Sequence, residues 1–95
     1  MPNNTKVALV TGAAKRIGAE VARHLHAANF NLVIHYHHSE TDARSLASEL
    51  NAVRANSAIA IGADLNNHAQ LQALAQEASA QWDCLTLLVN NASSF

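Results

Sequence analysis

Four short stretches of this chain carry residue types that could handle a small anionic or flat ligand. The first is Thr11-Gly12-Ala13-Ala14-Lys15-Arg16-Ile17-Gly18, a glycine pair that encloses two basic residues. A glycine turn that opens a helix aims backbone N–H groups at an anion, and the helix dipole adds to the attraction. In such a turn Gly12 lets the chain bend sharply and Gly18 lets the helix lie close to its neighbours. The second stretch is His35-Tyr36-His37-His38-Ser39, and the third is Ala63-Asp64-Leu65. The fourth is Asn90-Asn91-Ala92-Ser93-Ser94-Phe95. Gly18 is followed by Ala19-Glu20, not by Lys and a hydroxyl residue, which excludes the nucleotide-triphosphate loop. His35 and His37 share one face of an extended strand and could hold a metal. Metal sites need three or four converging ligands, however, and no third stands out, so none is expected. The bland alternative for the histidine run is a solvated loop.

The elements that must position these stretches alternate. Val7-Ala8-Leu9-Val10 is a short continuous apolar run, the pattern of a strand buried on both faces. Ile17, Val21, Leu25 and Ala28 then recur at helical spacing up to Asn29. Leu32-Val33-Ile34 forms a second strand, and Ser39 is placed to cap a helix carrying Ala43, Leu46, Ala47 and Leu50. Ala58 to Ala63 is a third strand, with Asp64 as a candidate cap for the helix that follows. That helix starts near Asn67 and carries Leu71, Leu74, Ala75 and Ala78. Leu85 to Val89 is a fourth strand. Strands alternating with helices predict a parallel sheet with right-handed crossovers. The fold class is therefore α/β, the β-α-β-α-β-α-β portion of a doubly wound sheet with strand order 3-2-1-4. The complete arrangement needs a second half. A fourth strand left as an apolar edge is a liability that natural proteins avoid. The expectation is that residues 1–95 are the N-terminal part of a single dinucleotide-binding domain, or that a partner covers that edge.

Composition narrows the function classes. Of 95 residues, 49% are hydrophobic and 14% charged, with a formal net charge of -1. A near-neutral chain gives no electrostatic case for a nucleic-acid or membrane-surface partner. The single cysteine, Cys84, excludes a disulfide framework within the chain and fits a reducing compartment. Without a base assigned to it, Cys84 reads as a buried inert thiol. No apolar stretch approaches a membrane span or a signal sequence, so a cytoplasmic protein is expected. Trp82 is expected to pack at the end of the third helix. His24, His26 and His68 fall on helical segments and are read as surface residues, and Lys15 as a solvated charge.

Taken together, Thr11-Gly12…Gly18, Ala63-Asp64-Leu65 and Asn90-Asn91-Ala92 resemble, in order and spacing, the N-terminal signatures of the short-chain dehydrogenase/reductase family. Family members often carry glycine where Arg16 stands, and glycine where Ser93 stands. In those departures, and in His35-Tyr36-His37-His38-Ser39 and Asn91-Ala92-Ser93-Ser94-Phe95, the chain is most similar to pteridine reductases. The resemblance implies a Rossmann-like fold and an oxidoreductase that moves a hydride from NADPH to a dihydropterin or dihydrofolate. It also implies a homo-oligomer, a tetramer, in the full-length protein. The Tyr-x-x-x-Lys pair of the family is absent: the only tyrosine, Tyr36, is followed four residues on by Glu40. No catalytic residue is therefore expected in this segment. The alternatives are a short-chain reductase for another carbonyl or enoyl substrate, and a non-catalytic nucleotide-binding module ending at Phe95.

The cofactor choice turns on the end of the second strand. A carboxylate there would bind the ribose 2′-hydroxyl of NAD. This chain has Tyr36, His37, His38 and Ser39 instead, and its first acids, Glu40 and Asp42, fall in the next helix. Arg16 offers a guanidinium that matches a phosphate, so NADPH is read over NADH. The resemblance places Gly12, Arg16, Ile17, Gly18, Tyr36, His37, His38, Ser39, Asp64, Leu65, Asn91, Ala92 and Ser93 on the cofactor. Asp64 and Leu65 would meet the adenine. Arg16, Ser93 and Phe95 would meet the substrate, Phe95 by stacking on a flat ring. Pteridine reductases usually carry arginine where His38 stands. A histidine there predicts cofactor affinity that strengthens toward acid pH.

Overall fold

The computed structural model describes residues 5–13 and 16–90. Its elements are β1 (Lys6–Val10), α1 (Arg16–Ala27), β2 (Phe30–Tyr36), α2 (Glu40–Val53), β3 (Ala58–Gly62), α3 (His68–Gln81) and β4 (Leu87–Val89). All four strands are parallel, in the order β3-β2-β1-β4. β1 sits in the middle, with Val10 opposite Ile34 on one side and Val89 on the other. That position explains its unbroken apolar run: strands on both edges and helices on both faces leave no wet side.

The period of two sorts each strand between two cores. Ala8, Val10, Leu32, Ile34 and Ala58 point to the face covered by α1 and α2, where they meet Ala19, Ala22, Ala43, Leu46, Ala47 and Leu50. Val7, Leu9 and Val33 point to the opposite face and meet Leu74 and Ala78 of α3. Each fully buried Leu, Ile or Val contributes about 1.5–3 kcal/mol, so these two layers hold the sheet together. The α3 face is thinner, and Leu71, Leu85, Leu87 and Leu88 remain exposed beside it.

Several details depart from the sequence expectations. The stripe that α1 buries is Gly18, Ala19, Ala22 and His26, while Ile17 is 71% exposed. Small residues let the helix axis approach the sheet, and the larger Val21 and Leu25 flank the contact. His26 is not a surface residue: it is 3% exposed, and its Nε2 lies 2.7 Å from Ser57 Oγ. The cap of α3 is Asn67, whose side chain accepts from Gln70 N–H, so Asp64 does not fill that role. Asp64 instead accepts from Asn66 N–H in the turn before the helix. Ser39 occupies the N-cap position of α2 without a side-chain cap bond. β4 begins only at Leu87, because Cys84 to Thr86 approach β1 through isolated contacts. Cys84 is half-buried, its Sγ near Thr5 C=O and Thr86 Oγ1. Trp82 closes α3 and packs against the second core, as expected.

Candidate functional site

The carboxyl ends of the parallel strands gather the singled-out stretches along one edge of the sheet. Ligands in open α/β sheets bind outside such an edge. The turn after β1 bends at Gly12, whose φ of 62 lies in the left-handed region that glycine reaches without steric cost. Three of its backbone N–H groups are committed inside the protein. Thr11 N–H donates to Val89 C=O, Gly12 N–H to His35 Nδ1, and Ala13 N–H to His35 C=O. Among the described residues, donors for an anion remain at the start of α1, where first-turn N–H groups have no intrahelical partner. Ile17 and Gly18 stand there.

Arg16 is the first residue of α1 and has a φ of 53. A side chain in that region costs roughly 1–2 kcal/mol relative to glycine. The same place is often glycine in the resembled family, and the backbone geometry supplies the physical reason. Arg16 also lines an open hollow of ≈ 570 Å³ along α1, together with Glu20, Arg23 and His24.

The fourth stretch is tied to the first across the sheet. Thr11 Oγ1 donates to Asn90 Oδ1 at 3.1 Å, joining residues 79 positions apart. Thr11 and Asn90 also line a more enclosed apolar groove of ≈ 340 Å³, with Leu9, Leu65, Leu74 and Leu88. Ala14, Lys15, Asn91, Ala92, Ser93 and Phe95 lie outside the described residues.

At the end of β2 the run of aromatic and polar side chains is half-buried to exposed. The rings of His37 and His38 stack with centroids 3.9 Å apart. His37 Nε2 lies 4.0 Å from Asp64 Oδ2, which links the second stretch to the third. Tyr36 lies over Gly62 of β3: a Cβ on Gly62 would sit 2.8 Å from the phenol ring. The first acid after β2, Glu40, is paired with Arg44 at 2.8 Å on α2. β2 itself carries no carboxylate and ends in Tyr36.

The residue that sequence reasoning undervalued is His35. It is 2% exposed, and it points to the α3 face, as the strand alternation requires. Its Nδ1 accepts Gly12 N–H at 2.9 Å, and its Nε2 meets Ala63 C=O at 2.8 Å. Burial holds its pKa below the usual imidazole value; the bond to Ala63 opposes this, and nearby His37 adds to it. A lone polar residue at the carboxyl end of an apolar strand was the available signal. Among the described residues no group of three or more His, Cys, Asp or Glu side chains could hold a metal. None of their helices is long and apolar enough to cross a membrane.

A nicotinamide dinucleotide fits this edge on two structural grounds: a helix starts beside the glycine turn, and a guanidinium stands at that start.

Comparison with known proteins agrees with this geometry. The family model for short chain dehydrogenases matches residues 6–94. Pteridine reductase 1 of Leishmania tarentolae is 44% identical over 106 residues, covering 94% of this chain and 37% of that protein. The short chain dehydrogenase claC of Passalora fulva is 35% identical over 90% of this chain and 32% of its own length. The 3-oxoacyl-[acyl-carrier-protein] reductase FabG of Staphylococcus aureus is 35% identical over 93% of this chain and 35% of its own length. The chain thus spans about a third of the length of these relatives. With the parallel 3-2-1-4 sheet and nearly its whole length matched, the chain belongs to the short-chain dehydrogenase family.

Proposed function

We propose that this chain is the N-terminal part of the dinucleotide-binding domain of an NADPH-dependent reductase of the pteridine reductase kind. The observation that carries the reading is the carboxyl edge itself: the start of α1, with Arg16, shares it with a β2 end that offers Tyr36, His37, His38 and Ser39 in place of an acid. Ile17 and Gly18 N–H groups would hold the pyrophosphate, and Gly12 would shape the turn beneath it. Arg16, His38 and Ser39 would hold the 2′-phosphate, with Tyr36 and His37 beside it. Asp64 and Leu65 would border the adenine. Asn91, Ala92 and Ser93 would line the ribose and nicotinamide, and Ser93 and Phe95 the substrate ring.

When bound, the cofactor supplies the hydride. The residues of this chain would bind and orient it, and the family's Tyr-x-x-x-Lys pair is not among these 95 residues. The similarity to pteridine reductase 1 favours a pterin or folate substrate in the whole protein, and the FabG similarity supplies the rival, a 3-oxoacyl thioester.

The test is a spectrophotometric assay of the purified whole protein. NADPH should be consumed with dihydrobiopterin or dihydrofolate, and NADH at least roughly tenfold less efficiently, the worth of one charged phosphate contact. Turnover with 3-oxoacyl thioesters but not with dihydropterins would replace the pterin reading. Equal use of NADH would remove the 2′-phosphate assignment of Arg16 and His38.

A further inference from the structure

We infer that His35 is a positioning residue for the cofactor turn, holding the Gly12 bend in its binding shape through a single neutral tautomer. The inference rests on the dinucleotide reading of the carboxyl edge and adds a residue that the reading does not use. The argument begins with the two backbone groups that His35 meets. Gly12 N–H can only donate, so the Nδ1 that receives it must carry a lone pair. Ala63 C=O can only accept, so Nε2 must carry the hydrogen. The ring is therefore neutral and its tautomer is fixed by its partners. One buried imidazole ties the turn after β1 to the end of β3 while standing on β2 between them.

The connection reaches further than a packing contact. His35 C=O also accepts Ala13 N–H, so two consecutive amides of the glycine turn are fixed by the same residue. The turn stands just ahead of α1 in the chain, whose first-turn amides would be the anion donors. Protonating the ring removes the lone pair on Nδ1 and leaves Gly12 N–H facing a second donor. The ionisable groups around it are His37, two residues along the strand, and Asp64, beside Ala63 and 4.0 Å from His37. The β1 side presents Thr11 and Gly12, neither of which titrates in this range.

The test combines NMR of the His35 ring nitrogens with titration of NADP⁺ into the whole protein. In the wild type at neutral pH, His35 should show the Nε2–H tautomer and the Gly12 amide should exchange slowly. Compared with His35→Asn, which keeps His37, His38 and the cofactor phosphate as they are, wild-type NADP⁺ affinity should fall when the pH is taken low enough to protonate His35. His35→Asn offers an amide oxygen near the place of Nδ1 and does not titrate. It should keep affinity at neutral pH within about threefold and lose the part of the acid response that His35 adds. His35→Phe removes the imidazole that accepts Gly12 N–H and should weaken NADP⁺ at least roughly tenfold, with Gly12 exchange accelerated.

An Nδ1–H tautomer would overturn the inference, and so would a folded His35→Phe protein with unchanged affinity. If His35→Phe fails to fold, the ring tautomer and the His35→Asn acid response decide. An Nε2–H tautomer in a wild type that does not bind NADP⁺ would sink the dinucleotide reading and leave the clamp intact, so the two failures are distinguishable.

Discussion

Two buried histidines stand at opposite edges of the same sheet. His26 closes the amino edge, where α1 ends, and His35 closes the carboxyl edge. Burial lowers the pKa of both; Arg54 reinforces the shift at His26, and His37 at His35. Their partners differ. His26 meets Ser57, whose hydroxyl donates to Arg54 C=O and lies within reach of Leu50 C=O. Asn51 adds three bonds to Ser57 and Ala58, and Arg54 reaches His26 C=O, Phe30 C=O and Asn31 Oδ1. Each of those bonds joins one secondary-structure terminus to another. His35 instead joins two strand ends to a turn that opens on the ligand side. One edge is a closed polar knot; the other spends its polar groups on shaping a site and keeps a left-handed arginine there.

The comparison can be broken at its amino edge first. Asn51→Ala orphans the N–H groups of Ser57 and Ala58 and one carbonyl. It should cost about 2–3 kcal/mol in urea unfolding while leaving NADPH affinity of the folded protein unchanged. A parallel loss of affinity would mean that the two edges are coupled. At the carboxyl edge the sign should reverse. Arg16→Gly should stabilise the protein by roughly 1 kcal/mol, by relieving the positive φ, and weaken NADPH about tenfold relative to NADH. A destabilised Arg16→Gly protein would remove the strain argument.

Acid should act on both edges. Neither histidine readily charges in the fold, whereas both charge in the unfolded chain below about pH 6.5. Between that value and the lowered folded values the unfolded state binds more protons. Stability is therefore complete above about pH 6.5 and is lost as the pH falls through the folded values. A thermal-melt series should show this slope, and His26→Gln, which can still reach Ser57, should make it shallower. The smallest effect belongs to the exposed Arg23–Glu49 pair at 2.7 Å. Glu49→Ala should cost no more than about 0.5 kcal/mol at moderate salt, with no change in ligand affinity.

Much of the carboxyl edge was legible in sequence because turn chemistry and buried-strand patterns are local. The alternation of apolar runs predicted every element, and the glycine turn, His37 and Asp64 came together where parallel strands must end. α2 was read correctly down to Ala43, Leu46, Ala47 and Leu50, since its stripe is regular. α1 and its contacts through Val21 and Leu25 follow from spacing, but Ile17 is exposed, because the buried stripe is built of Gly18, Ala19 and Ala22, which carry a weaker hydrophobic signal. His26 and His35 were not assignable from spacing, because Ser57 and Ala63, their partners, lie 31 and 28 residues away. Asn67 won the cap of α3 over Asp64 by sitting immediately before the helix, a difference below the resolution of pattern reading.

The two-layered core also sets an order of events for a chain made from its N-terminus. The buried residues of the α1–α2 layer all lie between Ala8 and Ala58. The central strand, by contrast, completes its pairing only with Leu87 to Val89, and Val7 bonds Thr86 across a separation of 79 residues. Closing so long a loop costs entropy before any contact rewards it. β1 to β3 with their two helices can therefore assemble while β4 is still being synthesised, and the vacant side of β1 must wait. In that interval Val7 and Leu9, whose neighbours on that side are Thr86 and Leu88, present an unpaired strand side to any competing strand.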